Sequence, residues 1–160
     1  MLVYFYINAA IAILATTLAM VSKHAVHALL YFIVSLLALA IAMYLLGAPF
    51  AAALEVIIYA GAIMVLFVFV VMLLHIKPNS SPRHVFKIKN WLVPLSLLIL
   101  LLGELGFILK DTIFLERQMM VISAKEVAQS LWTNNTLVVE LASFLLLASL
   151  IGAYHIGKKR

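Results

Sequence analysis

The chain has 160 residues, of which 67% are hydrophobic and 11% charged, with a formal net charge of +5 and no cysteine. Soluble domains hold roughly 45–50% apolar and about 25% charged residues, so a water-soluble fold is excluded and lipid is the expected solvent. The missing cysteines rule out thiolate-held iron–sulfur clusters, thioether-attached haem and disulfides on this chain.

Crossing a hydrocarbon core of about 30 Å takes roughly 20 apolar helical residues. Five stretches meet that length in chain order, so the expected fold is an all-α integral membrane bundle of five transmembrane helices in a single transmembrane domain, 1–160. The first is Leu2–Val21, which starts without a basic flank and is expected to be a retained helix rather than a cleaved leader. The second is Ala25–Leu46. It ends at Gly47-Ala48-Pro49-Phe50, a short uncharged break that makes spans two and three antiparallel neighbours. The third is Ala52–His75, followed by a connection over 76–90 that carries Pro78, Asn79, Ser80, Ser81 and Pro82. The fourth is Trp91–Leu109 and the fifth Thr136–Ile156. Between them, in the loop 110–135, Ser123-Ala-Lys-Glu126 has the spacing of a capping box and predicts a short surface helix.

The basic residues fall in the connections and at Lys158-Lys159-Arg160. They therefore read as topology signals and not as a nucleic-acid surface. One side of the membrane collects Lys23, Lys77, Arg83, Lys87, Lys89 and the C-terminal three. The other holds only Lys110, Arg117 and Lys125, offset by Asp111, Glu116 and Glu126. The positive-inside rule then puts the N-terminus outside, the C-terminus and 76–90 in the cytoplasm, and 110–135 outside.

Three glutamates, Glu55, Glu104 and Glu140, lie inside predicted spans. Insertion scales charge about 2.5–3.5 kcal/mol for a central acidic residue, so such groups face protein or water and are the first candidates for passing protons. Glu55 and Glu140 each sit near a helix start, where a carboxylate is also suited to capping. Glu104 lies deeper, between Gly103 and Gly106, which permit close approach of another helix. His24, His27, His75, His84 and His155 all map to the cytoplasmic side. Interfacial anchoring suits them better than haem ligation, and Tyr4, Tyr6, Tyr44, Tyr154 and both tryptophans fit interface belts. Ala38 with Ala42, and Ala148 with Gly152, are small residues at helical spacing, suited to close contact between helices.

The third span, Leu54-Glu-Val-Ile-Ile-Tyr-Ala-Gly-Ala-Ile-Met-Val-Leu-Phe-Val-Phe-Val-Val-Met72, resembles the third helix of subunit J, or chain 6, of proton-pumping NADH:quinone oxidoreductase (complex I). Val26-His-Ala-Leu-Leu-Tyr31, Ile122-Ser-Ala-Lys125 and Val139-Glu-Leu-Ala-Ser143 resemble other stretches of that family in the same order. The resemblance implies a multi-pass subunit of the bacterial inner (plasma) membrane, set between the quinone-site subunit and the small and large antiporter-like subunits. It implies no cofactor and no active site on this chain, with FMN, iron–sulfur clusters and quinone carried elsewhere in the complex. It also implies a π-bulge near Tyr59-Ala60-Gly61 and a water path linking embedded carboxylates, with Glu55 and Glu140 at family positions and nothing carried over to Glu104.

Rotation of such a helix would swing Val65 and Phe67 into or out of a polar path. The expected coupling set is therefore Glu55, Tyr59, Gly61, Val65, Phe67 and Glu140. Two other classes share part of the pattern: a subunit of a multisubunit cation/proton antiporter, and a small haem-bearing membrane anchor of a dehydrogenase.

Overall fold

The computed structural model describes residues 2–74, 88–115 and 121–158, and every regular element among them is helical. The described chain divides into two compact units, Met1–Val121 and Ile122–Arg160. The first contains α1 (Leu2–Val21), α2 (Ala25–Leu45), a third span built in three pieces, and α5 (Ile88–Leu115). The third span runs without a break through α3 (Pro49–Leu54), a π-helical segment (Glu55–Ile63) and α4 (Met64–Leu73). Among the described residues four helices are long and apolar enough to cross a membrane, and Leu92–Ile108 adds a shorter apolar stretch within α5.

The start of the third span differs from the sequence expectation, in which Pro49 was read as a breaker. Pro49 opens α3 at its first position, where a missing N–H leaves no hydrogen bond unmade, so the span starts three residues before Ala52. α5 also exceeds Trp91–Leu109 at both ends and carries Pro94 inside it. The expected connection 76–90 lies outside the described residues as far as Lys87, and Ile88–Asn90 already belong to α5.

The hub is α2, against which α1, the third span and α5 all pack. Its buried positions include His27, Tyr31, Val34, Ala38, Ile41 and Leu45, an alternation of four and three that keeps one stripe facing its neighbours. Lipid tails are as apolar as leucine, so close contact and polar links, rather than hydrophobic expulsion, hold such helices together. Ala15 and Ala38 are fully enclosed between α1 and α2, where their small side chains let the backbones approach. One polar link lies beside them. Thr16 Oγ1 donates to the Ala12 carbonyl at 2.8 Å and lies 2.7 Å from Ser35 Oγ on α2. Interhelical hydrogen bonds of this kind contribute about 0.6 kcal/mol each in membranes.

The turn into the third span follows from Gly47. Its φ of 84° is a left-handed conformation that a side chain disfavours. The Gly47 N–H donates to the Tyr44 carbonyl at 3.0 Å and the Ala48 N–H to the Met43 carbonyl at 3.1 Å, the two bonds of a Schellman ending. His27, expected at the interface as an anchor, is instead buried in the stripe of α2.

In the second unit, α6 (Ala124–Thr133) begins with the expected capping box. The Glu126 N–H donates to Ser123 Oγ at 3.3 Å, and the Ser123 N–H to Glu126 Oε2 at 3.0 Å. A corner follows, fixed by Asn135 Nδ2 and Thr136 Oγ1, which donate to the Ser130 and Trp132 carbonyls. α7 (Thr136–Gly157) then runs as a single apolar helix with no buried residue of its own.

Candidate coupling site

Glu55 is the first residue of the π segment and is 8% exposed. It is not a helix cap: the first turn belongs to Pro49–Ala52, the N-cap is Ala48, and Glu55 comes nearly two turns in. The residue is therefore buried by the way α3 and the π segment lie on α2.

The buried positions of the third span record the winding. They are Ala52, Glu55, Ala60 and Met64, with steps of three, five and four. An α-helix of 3.6 residues per turn would follow Glu55 with an inward residue at Tyr59, then at Ile63. The π segment holds one residue more, so Ala60 and Met64 occupy those places, and Tyr59 points away from the first unit with 51% exposure. Closing the insertion would turn the downstream half of the span by roughly 100° and exchange Ala60 for Tyr59 at the α2 surface. Val65 and Phe67, on α4 and both exposed, would turn with it.

Gly61 is the one glycine of the π segment. A Cβ there would meet the Val56 carbonyl oxygen at 3.1 Å, across the five-residue step that defines the π turn. The segment closes at Met64, where the N–H groups of the helix end reach the carbonyls of Tyr59 and Gly61.

Five of the six expected residues therefore lie on one continuous helix, Glu55, Tyr59 and Gly61 within the π segment and Val65 and Phe67 just beyond it. Glu140 belongs to the second unit. It is the fifth residue of α7, exposed, and makes no side-chain cap, that helix being preceded by Asn135.

Sequence reasoning missed a second polar pair. Asn8 on α1 is fully buried, and its Nδ2 donates to Glu104 Oε1 on α5 at 2.9 Å. Gly103 and Gly106 face away, with nothing within 4 Å of a Cβ at either, so they do not bring α1 close to Glu104. An amide alone in the apolar run Leu2–Val21 was a signal of the same kind as the three glutamates. Among the described residues, no group of three or more His, Cys, Asp or Glu is placed to hold a metal ion.

The family model for NADH-ubiquinone/plastoquinone oxidoreductase chain 6 matches residues 15–156. NADH-quinone oxidoreductase subunit J of Pseudomonas aeruginosa is 48% identical over 158 residues, covering 97% of this chain and 95% of that protein. The Escherichia coli K12 subunit J is 45% identical over 97% of this chain and 85% of its own length. That of Buchnera aphidicola from Schizaphis graminum is 42% identical over 98% and 97%. Nearly the whole chain is matched, including the π-wound span, and the chain belongs to the NADH-ubiquinone/plastoquinone oxidoreductase chain 6 family.

Proposed function

We propose that this chain, a membrane subunit of an NADH-quinone oxidoreductase, couples quinone reduction elsewhere in the complex to proton translocation through its third span. The observation that carries the proposal is the π segment that starts at a buried acidic residue, Glu55, and ends next to two bulky apolar side chains, Val65 and Phe67. A one-residue change of register is a discrete, two-state event, and apolar side chains that turn into or out of a narrow passage control whether water fills it. In this scheme Glu55 holds and releases a proton, Tyr59 and Ala60 exchange places at the α2 surface, and Val65 and Phe67 open or close the water path. Glu140 is a second carboxylate of that path. The chain carries no redox group. FMN, iron–sulfur clusters and quinone belong to other subunits, and this chain's neighbours are the quinone-site subunit and the antiporter-like subunits. The complex sits in the bacterial inner membrane, with this chain's N-terminus outside and C-terminus in the cytoplasm.

Glu55→Gln tests the role of the acid, because it keeps shape and hydrogen-bonding capacity while removing the titrating group. The expected outcome is an assembled complex whose proton pumping falls more than its abundance does. Glu140→Gln should lower pumping less, since Glu140 is exposed on α7 whereas Glu55 is buried against α2. Parental pumping in Glu55→Gln would leave the acid with a structural role only.

A further inference from the structure

Asn8 and Glu104 form a buried polar pair that the coupling scheme does not use. The Asn8 amide spends its two hydrogens on Glu104 Oε1 and on the Tyr4 carbonyl, both at 2.9 Å. Two acceptors remain, Asn8 Oδ1 and Glu104 Oε2, both buried and neither with a hydrogen-bond partner among the described residues. With Glu104 ionised, each is a buried oxygen with no donor to satisfy it, and the charge itself is enclosed by protein.

One proton removes both penalties. A carboxylic acid has a donor as well as an acceptor, and a primary amide has the complementary set. With the proton on Oε2, that O–H can donate to Asn8 Oδ1 while Asn8 Nδ2 donates to Oε1, closing a ring of two hydrogen bonds between α1 and α5.

We propose that Asn8 and Glu104 form a proton-binding site in which Glu104 is kept as a neutral carboxylic acid, clasping α1 to α5. The surroundings favour a proton over a metal cation. Hard cations take six or more oxygen ligands, whereas the core shared by these helices is made of Ile11, Ala15, Leu101 and Ile108. The described titratable side chains on the elements packed against Glu104 are Tyr4 and Tyr6 of α1 and His27, Tyr31 and Tyr44 of α2, with Lys110 on α5 itself. Tyr4 and Tyr44 pack on the shared core, and Lys110 is exposed and about 9 Å further along the helix. A carboxyl held this way does not cycle its proton during turnover, which separates Glu104 from Glu55.

The test uses the assembled complex in native membranes. Glu104→Gln replaces the O–H donor by an N–H donor and keeps the ring, with one amide hydrogen left over. It should retain quinone reduction and pumping within about twofold of the parent and exceed Glu104→Ala in thermal persistence. Glu104→Ala and Asn8→Leu each leave a buried partner unsatisfied and should lower thermal persistence roughly tenfold. Asn8→Asp adds a second carboxyl, so its complex should lose persistence as pH is raised, while Glu104→Gln stays flat. The proposal is overturned if Glu104→Gln fails as badly as Glu104→Ala, which would mean that the negative charge is needed. It is equally overturned if sodium chloride, compared with choline chloride, stabilises the parent but not Glu104→Gln, which would make the pair a cation site.

Discussion

Replacing Gly61 by alanine separates a helix that changes its winding from one that is merely closely packed. Alanine is favoured over glycine in helices by about 1 kcal/mol, but that gain applies to α and π winding alike and cancels between them. What differs is the contact. In the π form the new Cβ stands 3.1 Å from the Val56 carbonyl oxygen, so the backbone must give by a few tenths of an ångström. Overpacking of this kind costs about 1–3 kcal/mol, a shift of about 5–150-fold in the balance between the two windings. The expected outcome for Gly61→Ala is an assembled complex in which quinone reduction and proton pumping fall together, and Gly61→Leu should deepen the loss without adding disassembly. The assay is NADH-driven quinone reduction and proton uptake, each normalised to complex quantified on native gels. Loss of assembly in proportion to side-chain volume through Ala, Val and Leu, with parental turnover in whatever assembles, would refute the reasoning and leave Gly61 as a contact residue.

Gly47→Ala forces a side chain into a left-handed conformation and should cost about 1–2 kcal/mol, lowering the thermal stability of the complex but not the protons pumped per assembled unit. Reporter fusions within Ser123–Ser130 should be active only outside and fusions after Arg160 only in the cytoplasm, and the reverse pattern would overturn the orientation.

Spans and caps were legible because each is encoded locally. An apolar run of sufficient length announces a membrane helix whatever it packs against, and Ser123 with Glu126 carry the capping box within four residues. The third span was legible as a span but not in its winding. Residues 55–63 are apolar on nearly every face, so no stripe reveals the period, and the steps from Ala52 to Met64 emerge only when α2 is laid alongside. Its π character was expected from the family resemblance and not from periodicity. The Asn8–Glu104 bond joins residues 96 positions apart, and no local pattern could specify that α1 and α5 meet there. The proline at position 49 misled for a related reason: the same residue ends one helix or begins the next, and the Schellman turn at Gly47 decides which.

The five-residue step between Glu55 and Ala60 has a genetic consequence. A deletion of one residue in a packed helix normally spins everything downstream by roughly 100° and ruins its contacts. Here the helix already carries one residue too many for α winding. Deleting Ile58 would leave Ala52, Glu55, Ala60 and Met64 on one face at steps of three, four and four, the pattern an ordinary α-helix buries. Among positions in the described spans, this is where an in-frame loss of a single codon preserves the fold. The shortened chain should insert and assemble, locked in one winding, and whatever the extra residue does for turnover would disappear with it.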